Sequence, residues 1–146
     1  MDNSRYIVNK SGEYSFDNLE VINQSKIFRF MENDLGNLKY FPVSDNFTKF
    51  SIVNYIKYID YIDENNEIFF LNIININDNF IKFIDYLDAE NIMNNLSLYL
   101  NENSKKYEFL LKNLTYDIKI KIYSNFEYEN LPEQLECDPY FLSKWL

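Results

Sequence analysis

The chain has 146 residues, enough for one domain, or one domain with a helical extension, around a sizeable core. Its 23 acidic residues outnumber 14 basic ones for a formal net charge of −9, a surface that repels phosphate backbones, so nucleic acid is not an expected partner. Hydrophobic residues make up 47% of the chain, with 13 Tyr and 13 Phe, which sets it apart from disordered polypeptides, and no apolar run approaches the length of a membrane span.

Arg5 to Asn9 reads as a short strand, followed by a turn at Lys10-Ser11-Gly12 that supplies a residue tolerant of positive φ. Glu13 to Phe16 alternates polar and aromatic residues and should pair back as the second strand of a hairpin. Asp17 or Asn18 is placed to cap the helical segment next in the chain. From Leu19 to Asn33, the apolar residues Leu19, Val21, Ile22, Ile27, Phe28, Phe30 and Met31 predict two short helices. Their break falls near Gln24-Ser25, with Ser25 as the second N-cap, and Gly36 ends the second helix.

Lys39 to Val43 predicts a third strand, and Pro42 marks it as an edge or a strand end. Ser44 or Asp45 is expected to cap a long helix from about Thr48 to Ile62, with Ile52, Ile56 and Ile59 on one face. Glu67 to Leu71 is strongly apolar, and periodicity leaves strand and helix both open. Asn77 or Asp78 caps a helix whose Phe80, Phe83, Ile84 and Leu87 face inward. Asp88-Ala89-Glu90 opens another, which uses Ile92, Met93, Leu96, Tyr99 and Leu100.

After Asn101-Glu102-Asn103-Ser104 the pattern changes. Lys105 to Leu111 reads as helical, and Leu114-Thr115-Tyr116-Asp117 starts a helix carrying Ile118, Ile120, Ile122 and Tyr123. Leu131-Pro132-Glu133-Gln134 is a further helix start, because proline at the first helical position gives up no hydrogen bond. The stretch from Tyr140 to Leu146 is apolar enough to dock. The expected organisation is an α/β module over residues 1–103 followed by a helical extension over 104–146.

Catalysis has little to work with. The chain has no histidine, the commonest general base and metal ligand, and its single cysteine, Cys137, therefore has no imidazole to make it a thiolate. With only Gly12 and Gly36 there is no phosphate-cradling loop. The carboxylate pairs, Asp85 with Asp88 and Asp60 with Asp63 and Glu64, are of the kind that solvated helix faces carry routinely. No catalytic residue, metal site or cofactor is expected. A lone cysteine excludes an internal disulfide, and MDNSRYIVNK lacks the apolar core of a signal peptide, so an intracellular location is expected.

The order hairpin, paired short helices, edge strand, long helix and helix pair resembles the BTB/POZ fold. Four segments narrow the resemblance to the Skp family of ubiquitin-ligase adaptors. YIVNKSGEYSF is similar to the family's opening hairpin, and INQSKIFRFMENDLG to the helix that ends in an acidic-Asp-Leu-Gly tail. FPVSDNFTKFSIVNYIKYI resembles the proline-containing strand and the long helix behind it. INDNFIKFIDYLDAENIMNNLSLYL resembles the helix pair that meets at a Tyr-Leu-Asp step, here Asp85-Tyr86-Leu87-Asp88. LTYDIKIKIY and the terminal Lys144-Trp145 are similar to the family's C-terminal helices, which relatives of the elongin C type lack. The chain departs from the pattern in Tyr116 for a proline, a longer connector at SKKYEFLLKN, a short acidic loop DENNE, and Asp85 for an asparagine.

The resemblance implies a non-enzymatic adaptor, cytoplasmic and/or nuclear, that bridges a cullin-type scaffold and an F-box protein, as a monomer or as a heterodimer with the F-box protein. It implies a cullin-binding face at Asp85 and Tyr86, with the end of the helix from Ser25 to Asn33 close by, and an F-box clamp of Ile118, Ile122, Phe141 and Trp145. The plain alternatives are a corner tyrosine packed at a helix end and ordinary core packing of the terminal helices. Two functional alternatives stand beside the adaptor. One is a BTB-fold homodimer, or a viral or parasite mimic, outside ubiquitination. In the other, LLKNLTYDIKIKIYSNF is itself a degenerate F-box offered to another adaptor.

Overall fold

A computed structural model describes residues 4–126 and shows an α/β architecture with one three-stranded mixed sheet. Strands β1 (Arg5–Asn9) and β2 (Gly12–Phe16) form an antiparallel hairpin in which Ile7 pairs with Tyr14 and Asn9 with Gly12. Gly12 has φ +150, and a Cβ there would lie 3.2 Å from the Tyr14 hydroxyl, so the expected need for glycine is met by its actual geometry. Strand β3 (Tyr40–Pro42) lies parallel to β1 on its other side, in the order β2-β1-β3. Pro42 therefore sits on an edge, where its missing N–H breaks no ladder.

The paired helices show the expected break: α1 (Glu20–Asn23), then α2 (Lys26–Leu35), whose N-cap Ser25 accepts a hydrogen bond from the N–H of Phe28. Asn18, not Asp17, serves α1, its Oδ1 accepting from the N–H of Glu20 at 3.0 Å, while Asp17 takes the Ser4 hydroxyl. Gly36, at φ +69, closes α2.

Helix α3 (Lys49–Asp63) differs from expectation at its start and along its face. Thr48 is the cap, accepting from the N–H of Ser51, because Ser44 and Asp45 are spent in the preceding turn. There Asp45 accepts from the N–H of Lys10, and Asn9 Nδ2 donates to the carbonyls of Ser44 and Phe47. The buried stripe is Ser51, Ile52, Tyr55, Tyr58 and Ile59, whereas Ile56 is only half-buried. Tyr55 is admitted to the core because its hydroxyl donates to the Val21 carbonyl at 2.7 Å.

Glu67 to Leu71, left open between strand and helix, lies in a helix, α4 (Glu67–Ile73). Its adjacent residues Phe70 and Leu71 are both buried while Ile68 and Phe69 are exposed, a pattern that a strand cannot produce. Helix α5 (Asp78–Tyr86) is capped by Asn77 and buries Phe80, Ile81, Phe83 and Ile84. Helices α6 (Glu90–Glu102), α7 (Glu108–Lys112) and α8 (Tyr116–Tyr123) complete the described residues.

Two helix ends do without glycine. After α3 the N–H of Asn66 reaches the Tyr61 carbonyl and that of Asn65 the Ile62 carbonyl, with Asn65 at φ +56. After α5 the N–H of Ala89 reaches the Ile84 carbonyl and that of Asp88 the Asp85 carbonyl, with Asp88 at φ +51. Both are Schellman closures in which a short polar side chain tolerates the left-handed conformation that glycine usually takes.

The chain divides into two compact units, the first ending at Glu90 and the second running from Asn91. Asn103 and Ser104, between which the boundary was expected, follow the end of α6 and lie inside the second unit. Within the first unit the core joins sheet to helices through Ile7, Phe41 and Phe28, with the Phe28 and Phe41 rings 5.1 Å apart. Within the second, Leu96, Leu100, Leu111, Ile122 and Phe126 are buried, and Tyr123 meets Phe126 edge-on at 4.7 Å.

Candidate partner-binding surfaces

The Tyr86 side chain lies in a three-ring cluster at the end of α5. Its ring stands 4.8 Å from that of Phe47 and 6.4 Å from that of Phe83, and Phe47 and Phe83 are 4.9 Å apart. One side of the ring is packed, yet 39% of the residue is exposed. Asp85, one position before, is half-buried. The tyrosine thus packs at the helix end and still leaves an edge to solvent.

The neighbour of this corner is the start of α2, rather than its end as expected. Ser25 Oγ donates to the Leu87 carbonyl at 2.9 Å while accepting from the N–H of Phe28, and the N–H of Ile27 also reaches the Leu87 carbonyl. The helical spacing sets Phe30 on the same side of α2 as Ile27, one turn on. Leu19, Ile27, Phe30 and Leu35 are all exposed. The sequence pattern puts Ile27 and Phe30 on the apolar face without distinguishing core from surface. The stripe they extend is wider than the single buried residue Phe28 requires, which is the signal that marks them.

Of the residues assigned to an F-box clamp, Ile118 and Ile122 lie on α8 and are 5% and 0% exposed. Both are therefore interior side chains of the second unit. Phe141, Trp145 and Cys137 lie outside the described residues. A third apolar surface, on α4, consists of Ile68, Phe69 and Ile73, and nothing in the sequence pattern singled it out.

The perturbed ionisable groups are structural. Burial first, and the charge of Glu20 second, push the Tyr55 phenol well above its ordinary range. Burial, then the charge of Glu67 and its hydrogen bond with the ring hydroxyl, do the same to Tyr58. Burial and Glu108 push Tyr123 up to about 12. In each case burial is the largest cause and favours the neutral phenol. Among the described residues no group of three or more Asp, Glu, Cys or His side chains could hold a metal ion, and no helix is long and apolar enough to cross a membrane. No protein-family model matches the chain, and a search of curated proteins finds no match.

Proposed function

We propose that the protein is a non-enzymatic adaptor of the Skp type, joining a cullin-type scaffold to an F-box protein in a ubiquitin ligase. The observation that carries this reading is the order and pairing of the elements. A hairpin, two short helices, an edge strand laid parallel on β1, a long helix, and then α5 and α6 succeed one another in the order that the resemblance to the BTB/POZ fold implies, with Asp85-Tyr86-Leu87-Asp88 after α5. Tyr86 supports the scaffold-binding role because an aromatic ring fixed on one side and exposed on the other loses little freedom on binding.

The clamp in this reading is an opening clamp. Ile118 and Ile122 are buried in the free chain, so an F-box helix has to displace the side chains that cover them. Trp145 reports on the event: its emission should shift to the blue as an F-box peptide is titrated in, and a spectrum insensitive to every F-box peptide argues against the clamp. The solution mass discriminates further, since an adaptor of this type is a monomer alone and a heterodimer with its F-box partner.

A second reading, a BTB-fold homodimer outside ubiquitination, is favoured by one observation. Leu19, Ile27, Phe30 and Leu35 expose large apolar side chains on the two helices after the hairpin, and such patches mark protein contacts. A concentration-dependent dimer that Phe30→Ser converts to monomer supports this reading over the first.

A further inference from the structure

Helix α2 carries its end charges in the order that its own dipole disfavours. Lys26 stands in the first turn and Asp34 in the last, with no acidic residue in the first turn and no basic one in the last. The dipole favours the reverse, since the N-terminal end is positive and the C-terminal end negative. Both residues are exposed, and among the described residues neither has an ion-pair partner, the ion pairs being Arg5 with Glu32 and Lys82 with Asp78. Phe30 lies midway between them in the sequence and is 55% exposed. Lys26, Phe30 and Asp34 form one i, i+4 row on the face opposite Phe28, the buried residue of the helix.

A row at that spacing is one of the ridges on which helices pack together. A second copy of α2 laid antiparallel across it, with the two-fold axis at Phe30, sets Phe30 against the partner's Phe30. Lys26 then lies beside the partner's Asp34, and by symmetry Asp34 beside the partner's Lys26. The antiparallel arrangement also brings the negative end of each helix to the Lys26 of the other. A charge order that is unfavourable within one chain thus becomes favourable between two. Lys26 and Arg29 balance Glu32 and Asp34, so α2 is neutral in a chain whose net charge of −9 otherwise opposes self-contact. We propose that α2 pairs with α2 of a second copy in this antiparallel register. The inference rests on the homodimer reading, whose contact it specifies, and not on the adaptor reading.

The test measures the mass of the full chain at rising concentration by sedimentation equilibrium. The wild type should pair, and Lys26→Asp and Asp34→Lys should each weaken the pair about tenfold or more, because each sets two like-charge contacts across the axis. An equimolar mixture of the two variants should recover the pair, since positions 26 and 34 then carry opposite charges at both ends. Each variant suits the helix dipole better than the wild type does, so circular dichroism melts should show both folded. A wild-type chain that stays monomeric at every concentration overturns the proposal together with the homodimer reading. A wild-type pair that both variants keep overturns the antiparallel contact and leaves the homodimer reading standing. Variants that each lose the pair and stay monomeric when mixed overturn the register, because only a contact between positions 26 and 34 is repaired by mixing.

Discussion

One hydroxyl ties residues 25 and 87 together: Ser25 Oγ donates to the Leu87 carbonyl at 2.9 Å and accepts from the N–H of Phe28 at 3.1 Å. The start of α2 and the end of α5 are thereby set by the same atom, inside the protein, and the Tyr86 corner inherits its position from it. Ser25→Ala removes the cap and leaves the Leu87 carbonyl with only the longer bond from the Ile27 N–H, so urea unfolding should show a loss of about 1–2 kcal/mol. A loss below about 0.5 kcal/mol would mean that the hydroxyl is not needed to place these ends.

Tyr86 should separate packing from recognition. Because its ring packs on Phe47 and Phe83, Tyr86→Ala should cost about 1–3 kcal/mol of stability, more than an exposed residue would. Tyr86→Phe keeps the ring and should stay within about 0.5 kcal/mol of the parent. Cullin capture that falls with Tyr86→Phe is then a loss of the hydroxyl contact and not of the fold.

The buried phenols give the fold a pH dependence with a definite sign. Tyr55 and Tyr58 hold their protons in the folded state beyond the value near 10 of an exposed phenol, and Tyr123 holds its own up to about 12. The unfolded chain binds fewer protons in that range, so stability is full below pH about 10 and falls as pH rises above it. Urea midpoints at neutral pH and on either side of pH about 10 should show the decline, and Tyr123→Phe should make it shallower between about 10 and 12. A midpoint flat across that window would contradict the burial of these rings.

Asp88, at φ +51, occupies a place that suits glycine, asparagine or aspartate and no branched side chain. Asp88→Val should destabilise by about 1–2 kcal/mol, and Asp88→Gly should be near neutral or slightly stabilising. Equal melting temperatures for the two variants would show that the left-handed closure is not maintained.

Local chemistry made much of the fold legible in the sequence. Gly12, Ser25, Gly36, Pro42 and Asn77 each act where their backbone or side-chain preferences put them. The features that could not be read were choices made by tertiary contact. Thr48 caps α3 because distant partners occupy Asp45 and the carbonyls of Ser44 and Phe47. Tyr55 displaces Ile56 from the buried stripe because a carbonyl thirty-four residues away accepts its hydroxyl. The same limit governs the surfaces: Ile118 and Ile68 are equally apolar in sequence, and only packing makes one interior and the other exposed.

A three-way capture decides whether the chain is an adaptor: the full chain is mixed with a tagged cullin N-terminal segment and an F-box protein. An adaptor makes the cullin segment retain the F-box protein only when this chain is present. Asp85→Lys/Tyr86→Phe should lower this retention by about tenfold or more while leaving the pair with the F-box protein intact. Capture of neither partner by a folded wild-type chain, across a panel of cullin segments and F-box proteins, would contradict the adaptor role.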